Sequence, residues 1–452
     1  MRSPKAFLKT AAWALGACLA LTMAGCSGGD DTATASASPL PSEAIGLTVD
    51  AASLPTVTGE MGFAPTITYP LKPGESSPTP TPTPTETTEA TDGAEESEAP
   101  SPYVDPPSTL QIEVLQAGGD EKVQADSVVV VDYVAYKWGV LEPIAAGSFG
   151  TANPSVMLVQ ADVTYPALAR SLVGQAIGSR IMSVVPPAEG ALNTALGAEA
   201  GDTVVLVFDI YKQYPIDIQA QADATPTGNK VSVTVEGDLG GPATITVPGG
   251  LAAPEKVTTT VIAEGTGPVV EDGNLILYHY AAVDWSNGDG GSSWVDGFGP
   301  SSATISAGYS DTVYALSGLV GIKAGSRVVI ELPGQTDSYL AEAVVVDIIA
   351  IVTRSDDVQA AIDAKAEADA AAAEEAAAAE EAAAAEEEAA TDAEDASTEE
   401  ETASTEADEE ATETPTDEAT GDQEEPATET EDTTSGSDEE TPEADTEQTT
   451  DQ

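Results

Sequence analysis

Short apolar runs separated by turn residues occupy most of the chain between residues 56 and 352. The runs are rich in β-branched residues and have the length of strands, as in DTVVLVFDIY and AEAVVVDIIAIV. Two segments, TYPALARSLVG and DTVYALSGLVG, instead place apolar residues three and four positions apart, which predicts one short helix each. The pattern therefore predicts α+β domains, each with several strands and a single short helix.

The elements of this region are repeated. TVTGEMGFAPTITYPLKP matches TVEGDLGGPATITVPGGL, SLVGQAIGSRIMSVVPP matches GLVGIKAGSRVVIELPG, and the strand tyrosines Tyr133 and Tyr280 hold equivalent positions. The repetition predicts two domains of one fold, at residues 107–214 and 231–352. The first repeat has its leader segment at residues 56–72, whereas the second leader continues directly into its domain.

The N-terminus has the pattern of an export signal. Basic residues precede an apolar run and then small residues, which predicts a signal peptide at residues 1–25. LTMAGC resembles a bacterial lipobox, so we expect Cys26 to be lipidated; secretion with a free thiol is the alternative. Residues 26–55 predict a flexible tether and residues 73–106 a Pro/Thr/Glu-rich linker. The mature protein is thus expected to be extracytoplasmic and lipid-anchored to the outer face of a bacterial cell membrane.

The net charge of −63 is concentrated at the C-terminal end, where 38 of the 78 Asp and Glu residues follow Ser355. Residues 357–390 alternate Ala tracts with Glu pairs. We take Ala to be the only apolar surface, and the Glu pairs recur every six residues, which favours a single solvated helix over a coiled coil. Residues 391–452 are polar and acidic, and we expect them to be disordered. A charge of this sign excludes nucleic acid as a partner.

Several motifs in a fixed order resemble one family. GxGPxxxxGxxxxxHY, an SSW segment, LVGxxxGSRxxxxxPP and a closing strand similar to ATLVFDI follow one another as in FKBP-type peptidyl-prolyl cis-trans isomerases, especially the tandem-domain lipoproteins of actinobacteria. The resemblance implies two FKBP-like domains, each a twisted antiparallel β-sheet wrapped around one short helix, with a proline pocket between sheet and helix. It also implies a reaction without cofactor or metal, because a dry aromatic pocket that binds the twisted amide better than the planar one is sufficient.

The resemblance places candidate pocket walls in both repeats. The family has a tyrosine on the second strand, an aromatic floor, a tyrosine after the PP segment and a phenylalanine on the last strand. The equivalent or neighbouring residues in this chain are Tyr133, Tyr165, Leu168 and Phe208 in the first repeat, and Tyr280 and Tyr339 in the second.

This chain departs from the family pattern at several pocket positions. The Phe-Asp pair of the family is replaced by Ala145 and Ala146 in the first repeat and by Gly290 and Gly291 in the second, and Val346 replaces the last-strand phenylalanine. The missing side chains and the Leu168 floor are expected to widen and wet the first site. We therefore expect slow turnover there and little or none in the second repeat.

Two functions remain open. The first is a membrane-anchored, extracytoplasmic isomerase that assists the folding of secreted proteins; the second is a non-catalytic FKBP-like binding or chaperone lipoprotein. Either would act as a monomer on proline-containing segments of unfolded or secreted proteins. A solute-binding lipoprotein is disfavoured because such receptors usually need larger α/β lobes. His279, between two tyrosines on a strand, is expected to be structural rather than catalytic.

Overall fold

The computed structural model describes residues 44–76, 101–160, 165–295, 299–307, 315–334 and 340–403. The expected signal peptide, Cys26, Tyr339, most of the linker and residues 404–452 lie outside these ranges. Within them, no helix has both the length and the apolar content needed to cross a membrane. The described residues up to Ala373 belong to one compact unit, and those from Glu374 onward belong to another.

The first repeat consists of a leader hairpin and an antiparallel sheet. The hairpin strands are β1 (Thr56–Thr58) and β2 (Thr66–Thr68). The sheet strands are β3 (Gln111–Gln116), β4 (Ser127–Lys137), β5 (Pro143–Ala145), β6 (Ser155–Val159), β7 (Arg180–Val185) and β8 (Val204–Pro215). Their order across the sheet is β3-β7-β8-β4-β5, and β6 also pairs with β4.

Two short helices, α1 (Pro166–Leu172) and α2 (Gly190–Ala195), pack on one face of this sheet. α1 begins with a proline, whose fixed φ and missing N–H suit the first helical turn, and it buries Leu168. The prediction of one short helix in this repeat is wrong. α2 forms as well because Leu192 and Leu196, four residues apart, are both buried against the sheet.

The second repeat has the same order of elements with a smaller helical part. Its strands are β9 (Thr225–Pro226), β10 (Thr234–Glu236), β11 (Thr244–Thr246), β12 (Thr258–Glu264), β13 (Leu275–Asp284), β14 (Gly290–Ser292), β15 (Ser301–Thr304), β16 (Arg327–Leu332) and β17 (Glu342–Val352). β10 and β11 form the leader hairpin, and the sheet order is β14-β13-β17-β16-β12-β9, with β15 also paired to β13. Where an α-helix was expected, the described part of this repeat has a 3-10 helix at Ala315–Leu319.

The expectation of mostly antiparallel sheets with few helices is therefore confirmed. Alternation along the central strands gives each sheet two apolar faces. In the first repeat one face packs on α1 and α2, and part of the other packs on the hairpin β1–β2.

A buried arginine from each GSR motif attaches the leader hairpin to its sheet. Arg180 is 2 % exposed and pairs with Asp209 through Nε and Oδ1 at 2.5 Å. The same guanidinium donates to the carbonyl oxygens of Gly59 and Phe63 in the leader. Arg180 thus pairs with a carboxylate of the sheet and donates to backbone oxygens of the leader at the same time. Because loss of the leader would leave part of a buried guanidinium without partners, we treat the leader as part of the folded sheet domain.

The second repeat uses the same device. Arg327 pairs with Asp347 at 2.7 Å and donates to three carbonyl oxygens of its own leader; these belong to Gly237, Asp238 and Gly241. Gly237 has a φ of 112°, and a Cβ there would lie 2.2 Å from the Pro242 oxygen, so the turn requires glycine.

The two sheets pack against each other inside the first compact unit. The shared apolar cluster includes Val128, Val130 and Tyr211 from the first sheet and Leu275, Leu277 and Val352 from the second. Asn153 adds a hydrogen bond across the contact, since its Nδ2 donates to the Gly273 oxygen at 2.8 Å.

Helix α3 (Asp356–Ala403) follows the second sheet. Val358 is 7 % exposed, and it packs with Ile362 in the cluster between the sheets, where a Cβ on Gly62 would come within 2.4 Å of Val358 Cγ1. The prediction of a wholly solvated helix at 357–390 is therefore wrong for its first turns. The helix also continues to Ala403, into the segment expected to be disordered, and no Gly or Pro interrupts this stretch.

Candidate active site

An aromatic pair lies at the centre of the first sheet. Tyr133 on β4 and Phe208 on β8 are cross-strand partners, and their ring centroids are 6.3 Å apart. Both side chains point to the face covered by the helices, and they are 3 % and 0 % exposed. Burial raises the pKa of the Tyr133 hydroxyl, so this group stays neutral at physiological pH.

A small cavity lies between this pair and the helices. Its volume is about 10 Å³, and its lining is made of apolar and aromatic side chains from the sheet and both helices. The lining residues are Tyr133, Met157, Leu168, Leu192, Leu196, Leu206 and Phe208. A space of about 10 to 15 Å³ holds one water at most, so the ring of a proline does not fit without movement of the walls.

The described residues thus line a small apolar space rather than the widened and wet site that was expected. The aromatic floor of the family is indeed absent at Leu168, but Leu192 and Leu196 fill the space from the side of α2. The structure brings together Tyr133, Leu168 and Phe208, as the resemblance implied. Tyr165 precedes α1 and packs at the edge of the same cluster without lining the cavity.

Sequence reasoning missed the α2 residues and Met157 as parts of this site. The signal for α2 was present in ALNTALG, where two leucines are four positions apart. The segment is too short for that spacing to separate a helix from an irregular loop.

The segment that carries α2 is fixed at both ends. Asn193 is fully buried, and its Nδ2 donates to the Asp202 oxygen at 2.8 Å and to the Pro186 oxygen at 3.3 Å. An ion pair between Arg170 on α1 and Glu189 joins the two helical segments. These contacts hold α2 over the aromatic pair.

The second repeat retains the strand tyrosine in a different setting. Tyr280 is half-buried opposite Val346 on β17, and its ring centroid lies 6.2 Å from that of Tyr278. Tyr339, the other expected wall of this site, belongs to a segment outside the described residues. The described part of the repeat therefore supplies one of its two expected walls.

An acidic side chain lies at the end of β17 near this tyrosine. Glu342 is the cross-strand partner of Asp284 and, by alternation along the strand, faces the same side as Val344 and Val346. Burial, with a smaller contribution from Asp284, raises the pKa of Glu342 to about 7. Burial, with a smaller contribution from Glu342, also raises the pKa of Tyr280.

The raised pKa makes the stability of the second repeat pH-dependent. The folded state holds the Glu342 proton more tightly than the unfolded state, so this group favours folding below about pH 4.5 and that contribution is lost as the pH rises to about 7. Glu342→Gln should therefore raise the free energy of unfolding by about 2 kcal/mol at pH 8 and leave it nearly unchanged at pH 4. Urea denaturation at both pH values measures this difference; an equal gain at both would show that ionisation is not the cause.

His279 has a structural role. Its ring is 2 % exposed, stacks on Trp294 with centroids 5.1 Å apart, and contacts Ser293 Oγ at 2.9 Å and the Ile218 oxygen at 3.0 Å. Burial lowers its pKa. The ring thus attaches the segment between the repeats to the second sheet. No group of three or more potential metal ligands occurs among the residues that the structure describes.

No protein-family model matches the sequence, and no curated protein matches it. Solved structures that are similar to this chain share low identity with it. The three FKBP domains of wheat FKBP73 share 13 % identity over 54 % of this chain and 95 % of that chain, with a TM-score of 0.22. A peptidyl-prolyl cis-trans isomerase of Pseudomonas syringae pv. tomato shares 17 % identity over 23 % of this chain and 74 % of that chain, with a TM-score of 0.20. FkpA from Escherichia coli shares 19 % identity over 24 % of this chain and 48 % of that chain, with a TM-score of 0.20. This chain thus spans about half the length of FkpA.

Proposed function

We propose that this chain is a lipid-anchored, extracytoplasmic protein of FKBP type, of the tandem-domain actinobacterial form, that binds proline-containing segments of secreted or unfolded proteins and isomerises their X-Pro bonds slowly. The observation that carries the proposal is the aromatic pair Tyr133 and Phe208 above an entirely apolar cavity at the base of α1. An environment of this kind disfavours the planar, well-hydrated amide relative to the twisted one.

The chemistry needs no ionisable group at this site. Rotation about an X-Pro bond has a barrier of about 18 to 20 kcal/mol because the amide loses its double-bond character. A pocket lowers that barrier when it binds the twisted amide more tightly than the planar one, and each 1.4 kcal/mol of such preference gives about tenfold in rate. Tyr133, Leu168 and Phe208 supply apolar walls for this purpose without any group that must gain or lose a proton.

Slow turnover follows from the small size of the cavity. The cavity has no room for a proline ring, so binding requires a less populated arrangement in which its walls have moved apart. The apparent affinity falls by the fraction of molecules in that open arrangement. The second site lacks the last-strand aromatic, which Val346 replaces, and we assign it little turnover.

A second candidate is non-catalytic binding of the same segments, and the replacement of the family's Phe-Asp pair by Ala145 and Ala146 favours it. The rate of cis-trans exchange of a short peptide with one Leu-Pro bond, measured by NMR exchange spectroscopy with and without the chain, separates the two. The proposal predicts a weak but measurable acceleration that depends on chain concentration. An unchanged exchange rate at the highest soluble concentration would contradict turnover and leave the binding function.

The proposed anchor is a lipid on Cys26, followed by a tether. The expectation that the tether extends to residue 55 is wrong at its end, because Leu54 is 3 % exposed in the cluster beside the leader hairpin and the Thr48 N–H donates to Gln111 Oε1 at 2.7 Å. If the anchor is correct, Cys26→Ala should move the protein from the membrane fraction to the medium of the producing bacterium, because the folded part has no other membrane contact in this proposal. Immunoblotting of the two fractions measures the change, with Cys18→Ala as the matched control, since Cys18 belongs to the proposed signal peptide. Retention of the Cys26→Ala protein in the membrane fraction would contradict the anchor.

A further inference from the structure

We propose that the segment between β7 and β8, with α2 at its centre, is a lid that closes the proline site of the first repeat and that the Arg170–Glu189 ion pair is its latch. The inference rests on the proposed function, because it assigns a gate to the same site. The lid has two parts. Leu192 and Leu196 occupy the space of the substrate, and the Arg170–Glu189 ion pair holds them in place.

The lid leucines occupy the space that a proline ring needs. Leu192 and Leu196 contribute two of the seven side chains that line the cavity. Leu192 lies in α2 and Leu196 directly follows it, so neither belongs to the sheet. They are 2 % and 5 % exposed, and they contact the cluster around Tyr133 and Phe208. The remaining walls come from the sheet and from α1, so an outward movement of α2 alone opens the cavity.

The lid is attached by few strong contacts. α2 has only six residues, and no side chain caps its N-terminus. Glu189, directly before it, pairs with Arg170 on α1, and the two side chains are 22 % and 30 % exposed. Asn193 holds the lid to the chain on both of its sides, through the oxygens of Pro186 and Asp202. Opening breaks one half-buried ion pair and the Asn193 hydrogen bonds and exposes Leu192 and Leu196, so the open state is rare and shortening either leucine makes it less rare.

One further observation at the lid favours a strained closed state. Asn193 Oδ1 is buried and accepts no hydrogen bond from the described residues. A buried acceptor without a donor destabilises the closed arrangement, and opening of α2 exposes this oxygen to water. The closed state is therefore opposed by an unsatisfied group at the position where the lid is fixed.

The lid is tested with three variants of the full chain. Leu192→Ala removes part of the side chain that fills the site, Glu189→Gln removes the charge of the latch while keeping its shape, and Glu199→Gln removes the same charge from an exposed position after α2 as a control. For each variant, the exchange rate of the Leu-Pro peptide gives turnover. The shift of the Tyr133 ring signals on titration with the same peptide gives binding.

The lid predicts faster turnover and tighter binding in the first two variants. We expect a rise of about tenfold for Leu192→Ala, which corresponds to removal of about 1.4 kcal/mol of opening cost, a smaller rise for Glu189→Gln, and none for Glu199→Gln. Tighter binding without faster exchange would support the lid and contradict the proposed isomerase. The lid is contradicted if both Leu192→Ala and Glu189→Gln are folded and both bind the peptide and accelerate its exchange to the same extent as the unmodified chain. If Leu192→Ala does not fold, an unchanged Glu189→Gln overturns the latch by itself.

Discussion

Arg354→Met is expected to lower the free energy of unfolding by about 4 kcal/mol, because it leaves a buried carboxylate without its partner. Arg354 follows β17 of the second sheet, and Asp132 lies on β4 of the first. Both side chains are fully buried. Arg354 Nε donates to Asp132 Oδ2 at 2.7 Å, and Nη2 donates to Oδ1 at 3.0 Å, which gives a two-point contact.

The guanidinium also satisfies a group of backbone oxygens in the first repeat. It donates to the carbonyls of Ser148, Thr151 and Ala152 at 3.0 Å each and to that of Asn153 at 3.3 Å. Methionine fills a similar volume but offers no donor, so these acceptors lose a partner that buried geometry cannot replace. The variant should therefore weaken both the packing of the two sheets and the conformation of residues 148–153.

Urea denaturation followed by circular dichroism measures this loss. The matched control is Lys365→Met, which breaks the exposed pair with Asp369 on α3, where the side chains are 56 % and 66 % exposed. Exposed pairs of this kind contribute about 0.5 kcal/mol or less. A loss for Arg354→Met no larger than that of the control would show that Arg354 is not a buried link between the repeats.

A second variant separates the charge from the packing. In Asp132→Asn the buried acceptor remains but its charge is lost, and Tyr211, whose hydroxyl donates to Asp132 Oδ2 at 2.7 Å, keeps its partner. Combining Asp132→Asn with Arg354→Met should recover part of the loss caused by Arg354→Met alone, since the uncompensated charge is then absent. Strict additivity of the two losses would contradict a direct interaction.

The local features of the fold could be predicted from the sequence because they depend on residues close together in the chain. Short apolar runs rich in β-branched residues placed Tyr133 and Phe208 on strands, and the repeated leader phrase indicated two equivalent units. The link through Arg354 could not be predicted. Asp132 lies 222 positions earlier in the chain, and an arginine after a strand carries no signal of its partner.

The size of the candidate site also escaped prediction, for a different physical reason. The resemblance in sequence indicated that Leu168 stands where the family has an aromatic floor. It did not indicate which side chains would fill the space that the smaller residue leaves. Close packing of interiors makes neighbours occupy such a space. Here the occupants are Leu192, from a helix too short to be recognised, and Leu196, the residue that follows this helix. Val358 and Ile362 were missed similarly, because the Ala/Glu composition around them dominated the pattern.

The most direct test of the proposed site compares two tyrosines of the same strand. Tyr133 and Tyr136 both lie on β4 and are 3 % and 5 % exposed, but Tyr133 lines the cavity, whereas Tyr136 packs on the leader side and donates its hydroxyl to the Pro65 oxygen. Removal of either buried ring should cost the fold a comparable amount, about 3 to 5 kcal/mol. Any difference in activity between the two variants therefore reports the site and not the stability.

The measurement is the exchange rate of the Leu-Pro peptide in the presence of the unmodified chain, Tyr133→Ala and Tyr136→Ala, at a temperature where melting curves show all three to be folded. We predict that the unmodified chain and Tyr136→Ala accelerate exchange to a similar small extent and that Tyr133→Ala does not accelerate it. Acceleration that survives in Tyr133→Ala, or that disappears equally in both folded variants, would contradict the assignment of the proline site to the cavity beneath Tyr133 and Phe208.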